Sequence, residues 1–320
     1  MNRPAIPVSA RATVVLGLAS LAGLVAFCWP LFVAPEPSMT GQAPTAPMVF
    51  MLILPLVVAV VLAELAAGRM DAKVLAMLGV LSAVNAVLRP LGAGTAGIEL
   101  VFFLLVLAGR VFGPGFGFTL GTISLFASAL LTAGVGPWLP FQMLASAWIG
   151  LGAGLLPRRL RGRAELMLLA GYAAVASYLY GALMNLSFWP YALGPDTPLS
   201  YLPGAPVTEN LHRFLLFNLA TSALGWDTVR AIVTAVATLL VGPLVLTTLR
   251  RAARRASFDP PVRFAPSGVA GSRPVGLLPA TPDPRSVEPG ATSGHPPTSQ
   301  PEGGHQHHGH DHPDRSAGID

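Results

Sequence analysis

Charged side chains are scarce in this chain of 320 residues. Only 11% of the residues are Asp, Glu, Lys or Arg, whereas 52% are hydrophobic. An ordinary globular protein has about 25% charged residues, and a soluble fold cannot bury so large an apolar excess. The composition therefore excludes a soluble enzyme, a nucleic-acid-binding domain and a disordered regulator, and it predicts a membrane protein with several spans.

Three residue types that carry chemistry are also rare. Cys28 is the only cysteine, which excludes an internal disulfide framework and a multi-cysteine metal centre. Lys73 is the only lysine and no glycine loop precedes it, so the chain has no P-loop ATPase motif. His212 falls in an outer loop and the other six histidines fall in the C-terminal tail. Without histidines or paired carboxylates in the spans, the sequence disfavours an ion-coupled pump and an intramembrane enzyme.

Long apolar runs divide the chain. A bilayer span needs about 20 residues, and eight runs approach or exceed that length: 12–33, 48–67, 72–91, 98–112, 116–134, 138–156, 166–188 and 229–249. The triplet Gly113–Gly115, with Pro114 at its centre, ends the fourth helix and predicts a tight hairpin. We interpret the first run as a retained span, because Ala34-Pro35-Glu36 is a poor signal-peptidase site.

The basic residues predict the orientation. With a cytoplasmic N-terminus, only Arg89, Arg213 and Arg230 fall on the outer side. The inner set comprises Arg3, Arg11, Arg69, Lys73, Arg110, Arg158, Arg159, Arg161, Arg163, Arg250, Arg251, Arg254 and Arg255. Because cytoplasmic loops are enriched in Lys and Arg, this distribution predicts a multi-pass plasma-membrane protein with both termini in the cytoplasm.

Two segments are not predicted to cross the membrane. Residues 190–228 form a proline-rich outer loop with an apolar helical periodicity, which predicts a short amphipathic helix on the outer surface or over the bundle. The periodic residues are Leu211, Phe214, Leu215 and Leu219. Residues 256–320 hold 12 of the 31 prolines and predict a disordered cytoplasmic tail.

The third run carries overlapping pairs of small residues four positions apart. They are Ala72 and Ala76, Gly79 and Ala83, and Ser82 and Ala86. Such pairs let another helix approach closely. By themselves they serve packing inside the bundle as well as contact with a second protein.

The stretch from Gly109 to Pro157 is the most distinctive. It holds a G-P-x-x-G hairpin at Gly113–Gly117 between two short helices. Gly117 and Gly121 continue the close-packing face of small residues into the fifth apolar run. An outer loop then enters a helix with Trp138 and Gln142. Here the sequence resembles the substrate-binding S component of energy-coupling factor (ECF) type ABC vitamin transporters. The resemblance covers about residues 72–250.

The resemblance implies an all-α fold, a polytopic membrane helix bundle with a six-helix core at residues 72–255. Residues 1–71, with two additional N-terminal transmembrane helices, and the tail at 256–320 have no family counterpart. The family captures a vitamin or micronutrient at the outer face and has no ATPase of its own. A separate transmembrane coupling subunit and two cytoplasmic ATPases drive uptake, and no tightly bound cofactor is expected. The small face at Ala72, Ala76, Gly79 and Ala83 becomes the expected docking surface for the coupling subunit.

Polar and aromatic residues near the outer ends of the core spans are the candidate substrate contacts. They are Asn85, Arg89, Glu99, Trp138, Gln142, Asn185, Trp189 and Trp226, with Tyr191, Asp227 and Arg230 close by. Alternatives stand beside this reading. The aromatic residues are also typical of an interfacial belt, and Glu99 also fits a carboxylate at a helix N-terminus. Asp227 and Arg230 can also form an ion pair with each other. The amides can also form hydrogen bonds to neighbouring helices.

The tail ends in a histidine cluster suited to nickel, cobalt, zinc or copper, formed by His305, His307, His308, His310 and His312. The leading hypothesis is a vitamin-capturing subunit, with cobalamin or a related corrinoid as the named substrate. The alternative is a membrane protein that handles nickel or cobalt through this tail.

Overall fold

The computed structural model describes residues 5–6, 8–32, 55–56, 58–63, 65–67, 71–92, 98–193 and 197–256. Within these ranges all regular structure is helical. Five helices are long and apolar enough to cross a membrane. The expectation of an all-α polytopic bundle is confirmed, while the histidine-rich tail lies outside the described residues.

The helices follow the predicted apolar runs closely. They are α1 (Ala10–Phe27), α2 (Val58–Ala67), α3 (Ala72–Gly92), α4 (Val101–Phe112), α5 (Pro114–Leu131), α6 (Leu139–Leu155), α7 (Arg163–Phe188), α8 (Val207–Asn218), α9 (Thr228–Leu240) and α10 (Gly242–Ala256). Short 3-10 turns follow α1 at Trp29–Leu31 and α7 at Trp189–Tyr191.

The C-terminal part of the bundle differs from the sequence-based expectation. A π-helix, Leu219–Asp227, joins α8 to α9, so one helical segment runs over Val207–Leu240. The helix expected in the outer loop therefore continues into α9 instead of lying apart from it. On its expected apolar face Phe214 is buried, whereas Leu211, Leu215 and Leu219 are exposed.

Glycines bring the central helices together backbone to backbone. Gly113 has a φ of 99°, a value that favours glycine, and it ends α4 as it begins α5. A Cβ on Gly117 of α5 would overlap the backbone of Gly150 on α6, and a Cβ on Gly121 would overlap that of Ser146. The predicted hairpin and the close-packing face through Gly117 and Gly121 are both confirmed.

A buried ionic cluster marks one end of the bundle. Arg110 Nε donates to Glu165 Oε1 at 2.7 Å and Arg110 Nη1 donates to the Leu156 carbonyl at 2.9 Å. Arg250 Nη2 donates to both oxygens of Glu165, at 2.6 and 2.7 Å. These bonds join the end of α4, the start of α7 and α10. We call this the arginine-rich end, because the loop with Arg158–Arg163 also lies there.

The first helix packs on the side of α6 and α7. Trp148 Nε1 donates to Ser20 Oγ at 3.0 Å, and Trp29 Nε1 donates to the Ser187 carbonyl at 2.9 Å. The backbone N–H of Ala5 donates to the Phe112 carbonyl, which places the start of the chain at the arginine-rich end. The additional helix α1 thus leaves the small-residue face of α3 exposed.

The glycine contact predicts a difference between two single-methyl substitutions. Gly117→Ala should lower the free energy of unfolding by about 1–3 kcal/mol, because the new methyl group meets the backbone of α6. Gly79→Ala should leave it unchanged or raise it by up to about 1 kcal/mol, because Gly79 has no atom within 4 Å of an added Cβ. Denaturant titration of both variants in detergent measures the difference, and equal stability would contradict the assigned packing.

Candidate functional site

Most of the predicted polar residues come together at the end of the bundle opposite the arginine-rich end. The end of α3, the start of α4 and α6, the last turns of α7 and the start of α9 meet there. Hydrogen bonds between these elements connect Asn85, Arg89, Glu99, Gln142, Asn185, Asp227 and Arg230 to one another or to neighbouring helices. We call this the polar end.

Arg230 is the centre of a buried charge cluster at the polar end. Its Nε donates to Glu99 Oε2, and its Nη1 donates to Asp227 Oδ1 at 2.6 Å. The side chain of Arg230 is 7% exposed, and those of Asp227 and Glu99 are 1% and 22% exposed. Ser222 Oγ donates to the second oxygen of Asp227 at 2.9 Å. The pairing of Asp227 with Arg230, one of the two readings of the sequence, is the arrangement found.

Aromatic rings enclose the same guanidinium group. The ring centroids of Phe102 and Tyr180 lie 5.8 and 5.3 Å from Arg230 Cζ, within the range of a cation–π contact. Phe102 belongs to α4 and Tyr180 to α7, so Arg230 ties three helices together. Glu99 does not cap α4, whose N-cap is Leu100, and its carboxylate instead completes this cluster.

A second polar group lies between α3, α5 and α6. Arg89 Nη2 donates to Gln142 Oε1 at 2.8 Å, and Asn85 Nδ2 donates to Ser124 Oγ at 2.9 Å. Asn85 is completely buried. Because Arg89 lies one turn beyond Asn85, α3 presents both side chains on one face.

Several polar atoms of this second group have no hydrogen-bond partner among the described residues. They are Asn85 Oδ1, Arg89 Nη1 and Ser128 Oγ. A buried donor or acceptor without a partner is costly, and most such groups in folded proteins are satisfied. Residues 93–97, which follow α3, lie outside the described ranges. The unsatisfied atoms therefore mark where further groups, from the chain or from a ligand, are needed.

The amide of Asn185 is satisfied by a neighbouring helix. Its Nδ2 donates to Asn218 Oδ1 at 2.7 Å, which joins α7 to the end of α8. This is the helix–helix alternative that the sequence left open. The bond holds the end of α8 against α7, and the role of Asn185 as a substrate contact stays a prediction.

The three candidate tryptophans have different surroundings. Trp189 is 1% exposed, its Nε1 donates to the Leu199 carbonyl at 2.9 Å, and its ring packs against Phe214. Its ring and N–H hold the outer segment, and its role as a substrate contact stays a prediction. Trp138 and Trp226 are 43% and 46% exposed, which suits an interfacial belt and a ligand contact equally.

Tyr180 is the main site residue that the sequence reasoning missed. It is buried, it contacts Arg230, and Arg89 and Glu99 lie within electrostatic range of its phenol. It also lines an apolar cavity of about 150 Å³ between α6 and α7, together with Trp148 and Tyr172. That volume is below the usual range of ligand pockets. Tyr180 lies in the middle of a long apolar run, where its position alone gave no signal.

The expected docking residues are accessible. Ala72, Ala76, Gly79 and Ala83 are all exposed, and they form one stripe along α3. The histidine cluster formed by His305, His307, His308, His310 and His312 lies outside the described residues. Within the described part of the chain, no group of three or more His, Cys, Asp or Glu residues is placed to hold a metal ion.

The charge cluster predicts that Arg230 is important for stability. Arg230→Met leaves the buried Asp227 carboxylate and the partly buried Glu99 carboxylate without their cation, and we expect the free energy of unfolding to fall by about 3–5 kcal/mol. The matched variant Arg213→Met breaks the partly exposed pair with Glu209 and should cost less than about 1 kcal/mol. Denaturant titration in detergent compares the two variants. Equal losses would show that Arg230 is not buried in an ion cluster.

Comparison with known protein families agrees with the resemblance noted from the hairpin. The family model described as the ECF transporter substrate-specific component matches residues 73–248, more than half of the chain. The matched region starts in α3 and ends within α10, so α1, α2 and the tail fall outside it. No curated protein and no solved structure matches the chain. The extent of the family match is sufficient to conclude that the chain belongs to the ECF transporter substrate-specific component family.

Proposed function

We propose that this protein captures a vitamin-type micronutrient, with cobalamin or a related corrinoid as the named candidate, between the helices of its polar end. Family membership makes the chain a substrate-binding transport subunit of an ECF importer and not an enzyme. Such components work with an ECF coupling subunit and ATPases. The identity of the substrate and the residues that contact it are our proposal.

The observation that carries the proposal is the unsatisfied polar group at Asn85 and Arg89. Within the described ranges, Asn85 Oδ1 is an acceptor and Arg89 Nη1 is a donor without a protein partner. A substrate that offers both donors and acceptors would satisfy them together. The amide side chains on the rim of a corrinoid have this property, since each amide group carries an N–H donor and a carbonyl acceptor.

The charge cluster at Arg230 has a supporting role in this proposal. It is internally satisfied, because Glu99 and Asp227 both bind the guanidinium group. It therefore joins the start of α4 to the start of α9 at the polar end. A site supported by rigid helices loses less conformational entropy when a ligand binds.

The orientation of the bundle follows from the distribution of basic residues. Lys73 and Arg251 line one cavity, and Arg110 and Arg250 share Glu165, so these members of the proposed inner set lie at one end of the bundle. Arg89 and Arg230 lie at the other end. The positive-inside rule then supports an arginine-rich end in the cytoplasm and a polar end that faces the outside.

The exposed stripe on α3 is the proposed docking surface for the coupling subunit. Small residues at Ala72, Ala76, Gly79 and Ala83 permit close approach of a second helix. The additional helix α1 packs elsewhere, against α6 and α7, and so does not compete for this face.

A bulky side chain on this stripe should prevent binding of the coupling subunit without unfolding the protein. Gly79→Ile should abolish copurification with the coupling subunit and ATPases and reduce cobalamin uptake at least tenfold, because the branched side chain prevents close helix contact. The matched control is Gly171→Ile on α7, which also has no atom within 4 Å of an added Cβ and is exposed. Uptake of labelled cobalamin by cells that coexpress the coupling module measures the effect.

The outcomes separate the parts of the proposal. Equal uptake by the Gly79→Ile and Gly171→Ile proteins would contradict the docking face. If the natural protein assembles with the coupling module and imports another vitamin but not cobalamin, that vitamin replaces cobalamin as the proposed substrate. Deletion of residues 295–320 should leave vitamin uptake unchanged, whereas a loss of nickel or cobalt uptake on deletion would favour the metal-handling alternative.

A further inference from the structure

A basic cavity lies at the arginine-rich end, between the start of α3 and the end of α10. Its volume is about 580 Å³, within the range of ligand-binding pockets. Lys73 lines it from α3, and Arg251 and Arg255 line it from α10. Nothing in the proposed capture of substrate uses this cavity, which is at the opposite end of the bundle from Arg89.

The two arginines of this cavity differ from the neighbouring Arg250 in their ion pairing. Arg250, the preceding residue, is paired with Glu165. Arg251 and Arg255 have no ion-pair partner among the described residues. They lie four positions apart and therefore on one face of α10. Two arginines on one face of a helix, both lining the cavity, favour an anion in the space beside them.

The surface between the charges is apolar. Met77, Ala252 and Ala256 line the cavity, and among the described lining residues Thr248 is the one uncharged polar side chain. From the cavity, α3 continues along the bundle with exposed apolar side chains, of which Leu75 and Val80 are 57% and 64% exposed. A free anion or an acidic peptide gains nothing from such a surface. An amphiphile satisfies both the charges and the apolar face.

The position of α10 fits the membrane surface. Leu246 and Leu249 are buried against the bundle, whereas Arg251, Arg254 and Arg255 are exposed. A helix with one apolar and one basic face lies at the boundary between headgroups and acyl chains. The cavity is therefore at the depth of lipid phosphates.

We propose that this cavity binds one anionic phospholipid, with its phosphate between Lys73, Arg251 and Arg255 and its acyl chains along α3. Basic pockets between transmembrane helices commonly bind anionic headgroups in this way. The inference requires only that the protein is in a membrane, and it does not depend on the identity of the substrate.

Native mass spectrometry of the purified full-length protein tests the proposal, with phosphatidylglycerol, phosphatidylcholine or inorganic phosphate added. We expect one tightly retained phosphatidylglycerol, no comparable retention of phosphatidylcholine, and no displacement by an equal concentration of inorganic phosphate. The double variant R251Q/R255Q should weaken phosphatidylglycerol binding about tenfold or more, because it removes two positive charges that attract the lipid phosphate.

Two further variants make the result specific. R158Q/R159Q removes two exposed arginines from the same end but outside the cavity, and it should retain the lipid. Ala252→Phe keeps every charge but fills part of the cavity, and it should also lose the lipid. Circular dichroism establishes that all variants are folded.

Three results would overturn the proposal. Equal weakening in R251Q/R255Q and R158Q/R159Q would indicate diffuse attraction to lipid. Displacement of the lipid by inorganic phosphate, with normal binding to the Ala252→Phe protein, would indicate a site for a free anion. Unchanged lipid binding in R251Q/R255Q, with loss of the coupling subunit, would identify a protein docking site.

Discussion

Three helices meet backbone to backbone around Gly150, and the positions of the other elements depend on this contact. An added Cβ on Gly109 of α4 or on Gly117 of α5 would overlap the Gly150 carbonyl on α6. Within a bilayer, apolar surface alone does not drive helices together, so close packing of small residues has to do so. The contact allows the twelve-residue α4 to lie almost entirely buried at the centre of the bundle. It also sets the distance at which Gln142 of α6 reaches Arg89 of α3.

Buried charges then fix the two ends of that core. At the arginine-rich end, Glu165 accepts from Arg110 and Arg250, and at the polar end Arg230 donates to Glu99 and Asp227. An unpaired charge in an apolar bundle is costly, so each pairing specifies which helix ends come together. The same pairing explains how so few charged residues organise the chain. Arg251 and Arg255, which have no ion-pair partner among the described residues, lie where the proposed lipid headgroup would neutralise them.

The sequence predicted the features that arise from local patterns. The Gly113 hairpin, the packing face through Gly117 and Gly121 and the order of the apolar helices all follow from residues close together in the chain. Local patterns did not predict the partners of buried polar groups. Glu99 and Arg230, for example, are 131 positions apart, and no periodicity connects them. The hydrogen bond from Trp189 to the Leu199 carbonyl could not be predicted for the same reason, since Leu199 lies in a proline-rich loop without a regular pattern. The continuous helix over Val207–Leu240 was missed because its π-helical part shifts the helical period.

The central claim is that the polar end holds a small-molecule substrate through Arg89. Native mass spectrometry of the gently purified protein, without added ligand, tests it most directly when the natural protein is compared with Arg89→Met and with the control Arg213→Met. The account predicts one copurifying small molecule, with a mass near that of a corrinoid, in the natural and Arg213→Met proteins, and at least a tenfold lower occupancy in Arg89→Met. Equal occupancy in all three proteins, or no retained small molecule after growth with cobalamin, would contradict it.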